Sequence, residues 1–445
     1  MPLSSKQLPW LLLILLITLL AYIPLFKLGF TNYDDKRYIL ENQNLGFSFE
    51  NIGYFFTHFF DGHYHPLTML SLMFDHLLFD FDATGFHISN LLLHLFNTGL
   101  VFTFLAALLK NGKIAFITAV LFGVTPMGVE SVAWLSERKN LLYSFFYLLA
   151  LINYLQYHNT GKKKFYWFTM AAFILSLLSK AQAIIFPLSI LLIDYFRQGS
   201  LISKKGWLEK IPFFLLAAGF GILAVEAQNS FWNDKQLEYA FFSRIVFAAQ
   251  AFSLYIFKLL IPVKLSAIYP YPIDSGQVLP TYLYLFLAVP VLYLILILHF
   301  IRRNRLLSFS LLFFGLHIGF LLKITGTPYG DYFMADRYTY LACIGIYLIT
   351  GSQLIKLARS LKNARRLLYA IFALYVLFFG ITTFRQSKTW ESGISLWKKV
   401  LEHYPQNYQA LNDLGTASAA AGNIAEAEAS FRKAIRTETG GKPGL

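Results

Sequence analysis

The chain has 445 residues, of which 56% are hydrophobic and 18% aromatic, whereas only 14% are charged. Soluble domains carry roughly 25% charged residues, so this composition excludes a soluble globular protein and predicts a membrane protein. The formal net charge of +14 does not indicate a nucleic-acid partner, because most of the basic excess lies in short loops between apolar runs, where it is a signal of membrane topology.

The first apolar run, residues 8–30, is long enough to span a bilayer. It has bulky Leu and Ile in its interior and no small-residue cleavage site, so we interpret it as an uncleaved first helix. Further runs of spanning or near-spanning length follow at 88–109, 114–133, 141–157, 165–180, 183–196, 211–228, 241–261, 280–301, 306–324, 338–355 and 367–384. They predict an all-α polytopic fold.

Basic loops predict the orientation of these runs. The basic residues lie at Lys6 and in the segments 110–113, 162–164, 197–210, 302–305 and 356–366. These loops should be cytoplasmic. With the loops placed there, run 241–261 cannot be a simple crossing of the membrane, so we predict that it is an interfacial or re-entrant helix on the outer face. The result is about eleven transmembrane helices, a first outer loop at 30–87 and an outer C-terminus.

The composition becomes soluble after Arg385, which predicts a membrane domain at 1–385 and a helical domain at 386–445. The second domain has the spacing of a tetratricopeptide repeat at Leu411, Leu414, Gly415, Ala427, Phe431 and Ala434, with Trp397 and Val400 in a preceding half-repeat. A simple helical hairpin is the alternative. A lone repeat cannot bury its own face, so we expect it to lean on the membrane domain or to pair with another chain.

Two adjacent acids, Asp34 and Asp35, lie a few residues beyond the first run, where a bilayer gives way to water. A solvated acid pair is the alternative, but the polar segments that share this side favour a catalytic role as a base. Neighbouring side chains point in different directions, so one of the two would be the base. The other would orient it or cap a helix that starts near Lys36.

The segment that follows, His63-Tyr64-His65-Pro66, predicts a fixed turn that presents imidazoles toward the acids. We interpret His65 as a contact to phosphate, and His63 and Tyr64 as contacts to substrate. A structural turn and a metal site are the alternatives, and two histidines without carboxylate partners are weak evidence for metal.

A polar stripe runs along one helical face of the run 88–109 and its start, at His87, Asn90, His94 and Asn97. Such a stripe does not face lipid. Hydrogen bonding between helices is the simpler interpretation, and contact of His87, Asn90 and His94 with substrate is the other.

Charged residues also occur at the outer ends of several runs. They are Glu130, Glu137, Arg138, Lys139, Lys180, Asp336 and Arg337. Charges so close to hydrocarbon are costly without partners, so structural ion pairs are one interpretation. The other is a binding site, in which Arg138, Lys139, Lys180 and Arg337 contact a lipid-linked phosphate and Glu130, Glu137 and Asp336 contact substrate.

These segments together resemble the transmembrane and tetratricopeptide-repeat (TMTC-like) O-mannosyltransferases and their bacterial relatives. The resemblance rests on residues 32–35, 65–68, 129–140, 179–180, 191–195 and 335–341, and the stretch Glu130-Ser131-Val132-Ala133-Trp134 to Glu137-Arg138-Lys139 is its most specific part. It implies the GT-C fold and a polyprenyl-phosphate sugar donor, with Asp34 matching the acid that serves as base and His65 lying in a motif that contacts donor phosphate.

The leading hypothesis is therefore an inverting glycosyltransferase that needs no cofactor and no metal. It would move a sugar, mannose by the resemblance, to Ser or Thr hydroxyls of exported proteins, which the repeat domain could present, in a bacterial inner membrane with the site on the periplasmic side. Transfer to a lipid or glycan acceptor is one alternative. A lipid-carrier transporter is another, although it would have internal repeats and broken helices near the midplane.

Overall fold

The structure is a computed structural model that describes residues 6–198, 204–231, 239–274, 276–324 and 332–438. The last residues of the predicted C-terminal domain, 439–445, lie outside the described residues, as do the side chains of Lys204 and Lys205 in the basic loop 197–210.

Helices dominate the described part of the chain. The membrane domain contains α1 (Leu8–Ala21), α2 (Phe49–Thr57), α3 (Pro66–Phe79), α4 (Ala83–Leu109), α5 (Gly112–Gly123), α6 (Val129–Ala133), α7 (Arg138–Thr160), α8 (Lys163–Ser179), α9 (Phe186–Gln198), α10 (Lys204–Leu208), α11 (Ile211–Phe231), α12 (Phe241–Leu260), α13 (Ala288–Phe300), α14 (Arg305–Gly319), α15 (Cys343–Ser360) and α16 (Arg365–Lys388). The short strands β1 (Tyr269–Pro270) and β2 (Tyr332–Met334) pair antiparallel. This all-α arrangement is the one that the apolar runs predict.

Five helices among the described residues are long and apolar enough to cross a membrane. They are Ala83–Leu109, Gly206–Phe231, Phe241–Leu260, Thr281–Phe300 and Arg365–Lys388. A bent pair, Gly112–Gly123 with Pro126–Ala133, would make a sixth, and shorter apolar helices occur at Leu8–Ala21, Pro66–Phe79 and Arg305–Gly319. The chain is a multi-pass membrane protein, and the count of eleven crossings stays a prediction, as does the interfacial position of α12.

Two of the predicted runs are not single straight helices. Run 8–30 ends as an α-helix at Ala21 and continues as a 3₁₀ turn, Ile23–Lys27, that contains Pro24. Run 114–133 bends by 53° at Pro126, where Thr125 is extended with φ −68° and ψ 124°. Proline lacks the N–H that a helix needs and disfavours a helical conformation in the residue before it. The bend turns residues 126–140 into a compact, buried set of short turns.

The first outer loop contains helices that the sequence interpretation missed, α2 and α3. They enclose a small core of their own with residues of the acidic segment, made of Tyr38, Ile39, Leu45, Phe55, Met69, Leu72, Met73, Phe86 and Leu135. The acidic segment, which carries Asp34 and Asp35, is therefore packed into a folded part of the outer loop and is not a free loop.

The C-terminal part forms α17 (Gly393–His403), α18 (Tyr408–Ala420) and α19 (Ile424–Glu438), and α16 continues through the predicted boundary to Lys388. Helix α18 packs against both neighbours. Gly415 permits its close approach to α19, because a Cβ there would lie 2.6 Å from the Phe431 ring. Trp390 and Trp397 belong to the same buried core as Trp134 of the membrane domain, so the C-terminal helices lean on that domain, which is the first of the two predicted arrangements.

Candidate active site

The segment 134–140 organises the charged residues on one side of the molecule. Trp134 is extended, Leu135–Glu137 is a single 3₁₀ turn, and α7 begins at Arg138. Successive side chains at such a junction point in different directions, and here Glu137 and Lys139 turn to one side while Arg138 turns to the other.

Glu137 lies among three cations. Its carboxylate is 3.4 Å from Lys139 Nζ, 3.0 Å from Lys180 Nζ and 3.5 Å from Arg337 Nε. Lys180 also donates to Asn140 Oδ1 at 3.1 Å, and Asn140 Nδ2 donates to the Arg337 carbonyl at 2.8 Å. Residues far apart in sequence thus form one buried network, which we call the Glu137 cluster (Glu130, Glu137, Lys139, Asn140, Lys180 and Arg337).

Glu130 holds Arg337 in this cluster. Its carboxylate accepts hydrogen bonds from the Arg337 guanidinium and, at 2.8 Å, from the Arg337 main-chain N–H. The guanidinium also lies 5.2 Å from the centre of the Trp134 ring, a favourable cation–π geometry. Glu130 and Arg337, which were both predicted as site residues, therefore lie in the cluster, and Glu130 acts there as the ion-pair partner of Arg337.

The cluster contains more positive than negative charge. Lys139, Lys180 and Arg337 face two carboxylates, Glu130 and Glu137. Burial by itself raises the pKa of Glu137, but Lys139, Lys180 and Arg337 outweigh it and hold that pKa below its usual value. Burial by itself lowers the pKa of Lys139, but the neighbouring Glu137 outweighs burial, so this pKa lies above its usual value. Both groups are charged at neutral pH, and the surplus cation can stabilise an anion.

Asp34 lies at the edge of this cluster. Its carboxylate accepts a hydrogen bond from Arg37 at 2.9 Å, and Arg37 also pairs with Asp61 at 2.9 Å. The Asp34 side chain keeps 19% of its surface exposed. Lys139 lies over the Tyr38 ring, 4.7 Å from its centre, and is close enough to Asp34 for that carboxylate to raise its pKa. The partly open acid and the buried cations are thus neighbours.

Asp35 is engaged in hydrogen bonds within the protein. Its carboxylate accepts four hydrogen bonds, from the N–H and Oγ1 of Thr31 and from the N–H and Oγ of Ser136, at 2.7–3.0 Å. It makes no capping bond to the π-helical turn Lys36–Leu40, so the predicted cap is wrong. Burial raises the pKa of Asp35 against these bonds. These hydrogen bonds tie the acidic segment to the 3₁₀ turn. Because Asp35 is 1% exposed, Asp34 is the accessible acid of the two.

The predicted histidine turn lies beside the cluster. His65 is 3% exposed, stacks on Tyr38 with ring centres 5.7 Å apart, and lies 5.6 Å from His63. Within the described residues neither ring nitrogen of His65 has a hydrogen-bond partner. Burial, followed by His63, Lys139 and Lys180, lowers the pKa of His65, and burial with the same lysines lowers that of His63 to about 3. Both imidazoles are neutral at pH 7, so His65 is a hydrogen-bonding group rather than a fixed cation.

Tyr64 points away from its neighbours in this turn. Its hydroxyl donates to the Phe56 carbonyl at 3.1 Å, and its ring faces Phe59 and Phe220. The structure therefore does not bring Tyr64 together with the Glu137 cluster.

Arg138 is not in the site, contrary to the prediction. Its guanidinium donates to Asp75, Asn90 Oδ1, Ser71 Oγ and the Phe86 carbonyl, and the side chain is 1% exposed. Every guanidinium nitrogen has at least one protein partner, so Arg138 acts here as a structural cation. Asp75, which Ser89 also contacts at 2.8 Å, was not predicted, and its position inside the apolar helix α3 is the signal that could have found it.

The polar stripe on α4 links this helix to neighbouring elements by hydrogen bonds, and the predicted substrate contacts of His87, Asn90 and His94 stay predictions. His87 Nε2 lies 3.3 Å from the Gly29 carbonyl, and Asn90 donates to the Val132 carbonyl at 3.0 Å. His94 bridges the Tyr340 hydroxyl and the Gly123 carbonyl at 2.8 and 3.1 Å. All three side chains are fully buried, so hydrogen bonding between elements, the simpler interpretation, is confirmed.

Asp336 is likewise used inside the protein. Its carboxylate accepts a hydrogen bond from Tyr269 at 2.8 Å and is 3% exposed. Burial raises the pKa of Asp336, and nearby Lys258 opposes that rise. A structural pair explains this residue, and the predicted substrate contact has no geometric support.

Sequence reasoning did not select Arg37 and Asp61, which flank Asp34. Asp61 has a left-handed φ of 50° directly before Gly62 at φ 73°, and an Asp-Gly pair is a turn signal. In the part of the chain that the structure describes, no three His, Cys, Asp or Glu side chains gather as a metal site would require. Independence from metal stays a prediction.

No protein-family model matches the sequence. A protein O-mannosyl-transferase of Caenorhabditis elegans is 26% identical over 390 residues, which is 84% of this chain and 54% of that protein. Protein O-mannosyl-transferase TMTC2 of Mus musculus is 32% identical over 137 residues, 29% of this chain and 16% of that protein. The chain spans about half the length of the first relative and a smaller share of the second.

Among solved structures, the oligosaccharyltransferase of Archaeoglobus fulgidus tethered with an acceptor peptide is similar. It is 14% identical with a TM-score of 0.48, over 97% of this chain and 59% of that one. Protein O-mannosyl-transferase TMTC1 of Mus musculus matches a shorter stretch, 36% identical over 92 residues, which is 20% of this chain and 10% of that protein. By sequence, the chain is therefore similar to the TMTC-like protein O-mannosyl-transferases, and its apolar helices make it a multi-pass membrane protein.

Proposed function

We propose that the chain is a membrane glycosyltransferase that moves a sugar, mannose, from a polyprenyl-phosphate donor to Ser or Thr hydroxyls of exported proteins. The observation that carries the proposal is the surplus of buried positive charge in the Glu137 cluster next to the partly exposed Asp34. The sequence relatives, which are named as protein O-mannosyl-transferases, support the same activity. By its resemblance to these relatives, the chain is expected to have the GT-C fold.

The reaction needs one base and a stabilised leaving group. The acceptor oxygen forms a bond to the anomeric carbon from the face opposite the phosphate, which inverts the configuration. The bond from that carbon to the phosphate oxygen breaks, and the phosphate leaves with the electron pair. Asp34 takes the hydroxyl proton as the bond forms, and Arg37 orients its carboxylate at 2.9 Å.

Lys139, Lys180 and Arg337 stabilise the charge that develops on the departing phosphate. These cations are already fixed by Glu130 and Glu137, so little reorganisation accompanies the reaction. The neutral His65, whose ring nitrogens have no hydrogen-bond partner among the described residues, donates a hydrogen bond to the same phosphate. The C-terminal helices, which contact the segment 29–33, present the acceptor.

A transfer assay tests this function. The purified full-length chain is incubated with polyprenyl-phosphate mannose and a peptide that contains Ser and Thr, and the peptide is expected to gain one hexose. Polyprenyl-phosphate glucose is the control for the sugar. No gain with either donor, together with unchanged hexose on exported proteins of cells that lack the gene, would contradict the proposal.

The proposal also requires the site and the C-terminal helices to lie outside the cytoplasm, on the periplasmic face of a bacterial inner membrane. Lys162→Cys and Thr416→Cys introduce thiols at exposed positions, while Cys343 is buried. An impermeant thiol reagent applied to intact cells should label Thr416→Cys alone. Labelling of both variants, or of Lys162→Cys alone, would contradict this orientation.

A further inference from the structure

The side chain of Asn32, two residues before Asp34, is held between two C-terminal helices. Its Oδ1 accepts a hydrogen bond from Trp397 Nε1 of α17 at 2.8 Å. Its Nδ2 donates to the Asp413 carbonyl of α18 at 2.9 Å. Both ends of the amide are therefore occupied by groups of the matching kind, which fixes its orientation.

Packing around this amide is tight. A Cβ on Gly393 would lie 2.1 Å from Asn32 Oδ1 and 3.1 Å from Ala417 Cβ, so only glycine fits at the start of α17. The Gly29 N–H donates to the Glu391 carbonyl at 3.0 Å, which adds a second backbone contact a few residues earlier. The C-terminal helices thus meet the acidic segment at several successive points.

The next residue, Tyr33, is fixed from the same side. Its ring stacks on Trp134 with centres 4.5 Å apart and planes 9° apart, and it meets the edge of Trp397 at 5.2 Å. Asn32 and Tyr33 together leave little freedom for the backbone that carries Asp34. Asp413 also lies within the electrostatic influence of Asp34 and Arg37, so α18 approaches the acids themselves.

We propose that Asn32 is a positioning residue and that the C-terminal helices, through Trp397 and Asp413, complete the acidic site by holding Asp34 in place. This inference rests on the proposed function for its catalytic consequence. The repeat-like helices would then be a required part of the catalytic domain in addition to any role in presenting the acceptor.

Two tryptophans provide a matched test. Trp397→Phe removes the indole N–H that bonds Asn32. Trp390→Phe removes an indole N–H that has no partner among the described residues, although Trp390 is equally buried and stacks on Trp134. Trp397→Phe should lower kcat by about tenfold, the worth of one positioning hydrogen bond, with the donor KM unchanged. Trp390→Phe should keep the wild-type kcat.

Hydrogen–deuterium exchange of the same full-length proteins gives a second readout, which does not depend on activity. Backbone amides of 29–38 should exchange faster in Trp397→Phe than in the wild type or Trp390→Phe. Gly393→Ala, which forces Asn32 out of its position, should reproduce both effects.

The possible failures are distinguishable. If the wild type transfers sugar but Trp397→Phe matches Trp390→Phe in kcat and exchange, the inference is wrong and the proposed function stands. If the wild type transfers none, the proposed function fails, and equal exchange in the two variants would overturn the inference as well.

Discussion

Arg138 and Lys139 are neighbours in sequence, but they belong to two networks of different character. The Arg138 network (Ser71, Asp75, Phe86, Asn90 and Arg138) has a partner for every guanidinium nitrogen and one carboxylate for one cation. The Glu137 cluster has three cations for two carboxylates and lies beside a partly exposed acid.

The difference separates structural charges from charges that can act on a ligand. A buried cation that is paired with one carboxylate is already neutralised, and breaking the pair mainly costs stability. A cluster with surplus positive charge is stabilised further when an anion arrives. Burial alone does not distinguish the two networks, since both are almost shut off from solvent.

The largest effect on turnover should come from Asp34. Asp34→Asn keeps the size of the side chain but removes its basicity, so turnover should fall by about 10³-fold while binding of the donor lipid persists. Transfer kinetics and donor binding by the purified variant measure the two quantities. An active Asp34→Asn enzyme would end the role of Asp34 as base, and Asp61→Asn, which alters the same Arg37 pair, is the control.

A smaller loss of turnover is expected from the Glu137 cluster. Lys180→Ala should reduce donor turnover by about 10²-fold, because one fixed charge on the leaving phosphate is removed. Lys180→Arg should recover a large part, since it restores the charge with different geometry. Equal activity of Lys180→Ala and the wild type, with both proteins folded, would make the cluster structural and remove the contrast.

The Arg138 network should respond in stability. Arg138→Ala leaves Asp75 buried without its cation, so the free energy of unfolding should fall by about 3–5 kcal/mol. Thermal unfolding in detergent measures this loss, and turnover per folded molecule should stay near the wild-type value. A 10²-fold loss of turnover in folded Arg138→Ala would show that the two networks share one function.

The smallest effect concerns Asp413 in α18. Burial, reinforced by Asp34, raises the pKa of Asp413 to about 6, so the folded protein binds a proton more tightly than the unfolded chain. Stability therefore falls as the pH rises from about 4 through 6. Asp413→Asn removes this dependence, and should be more stable than the wild type by about 1 kcal/mol at pH 7 and equal to it near pH 4. The free energies of unfolding of the wild type and Asp413→Asn at pH 4 and pH 7 test this prediction. A difference between the two proteins that is the same at both pH values would contradict the raised pKa of Asp413.

Several parts of the site could be predicted from local sequence. Glu137, Lys139, Lys180 and Arg337 stand at the ends of apolar runs, where a charge needs a partner or a ligand, and the structure brings all four together. The direction of each side chain could not be predicted. The sequence interpretation assigned Arg138 and Lys139 alike to the phosphate, but the 3₁₀ turn at Leu135–Glu137 sends them into different networks because it sets where α7 begins.

Membrane character, helical class and the change to soluble helices after the last apolar run could be predicted, because they follow from hydrophobicity and periodicity along the chain. The polar groups that are already hydrogen-bonded to other parts of the protein could be identified only in the folded chain. Asp35, Arg138 and His94 each resemble site residues in sequence, but their hydrogen bonds end on Ser136, Asp75 and Tyr340, about 60 to 250 positions away. Such pairings depend on how helices pack, and local patterns carry no information about them.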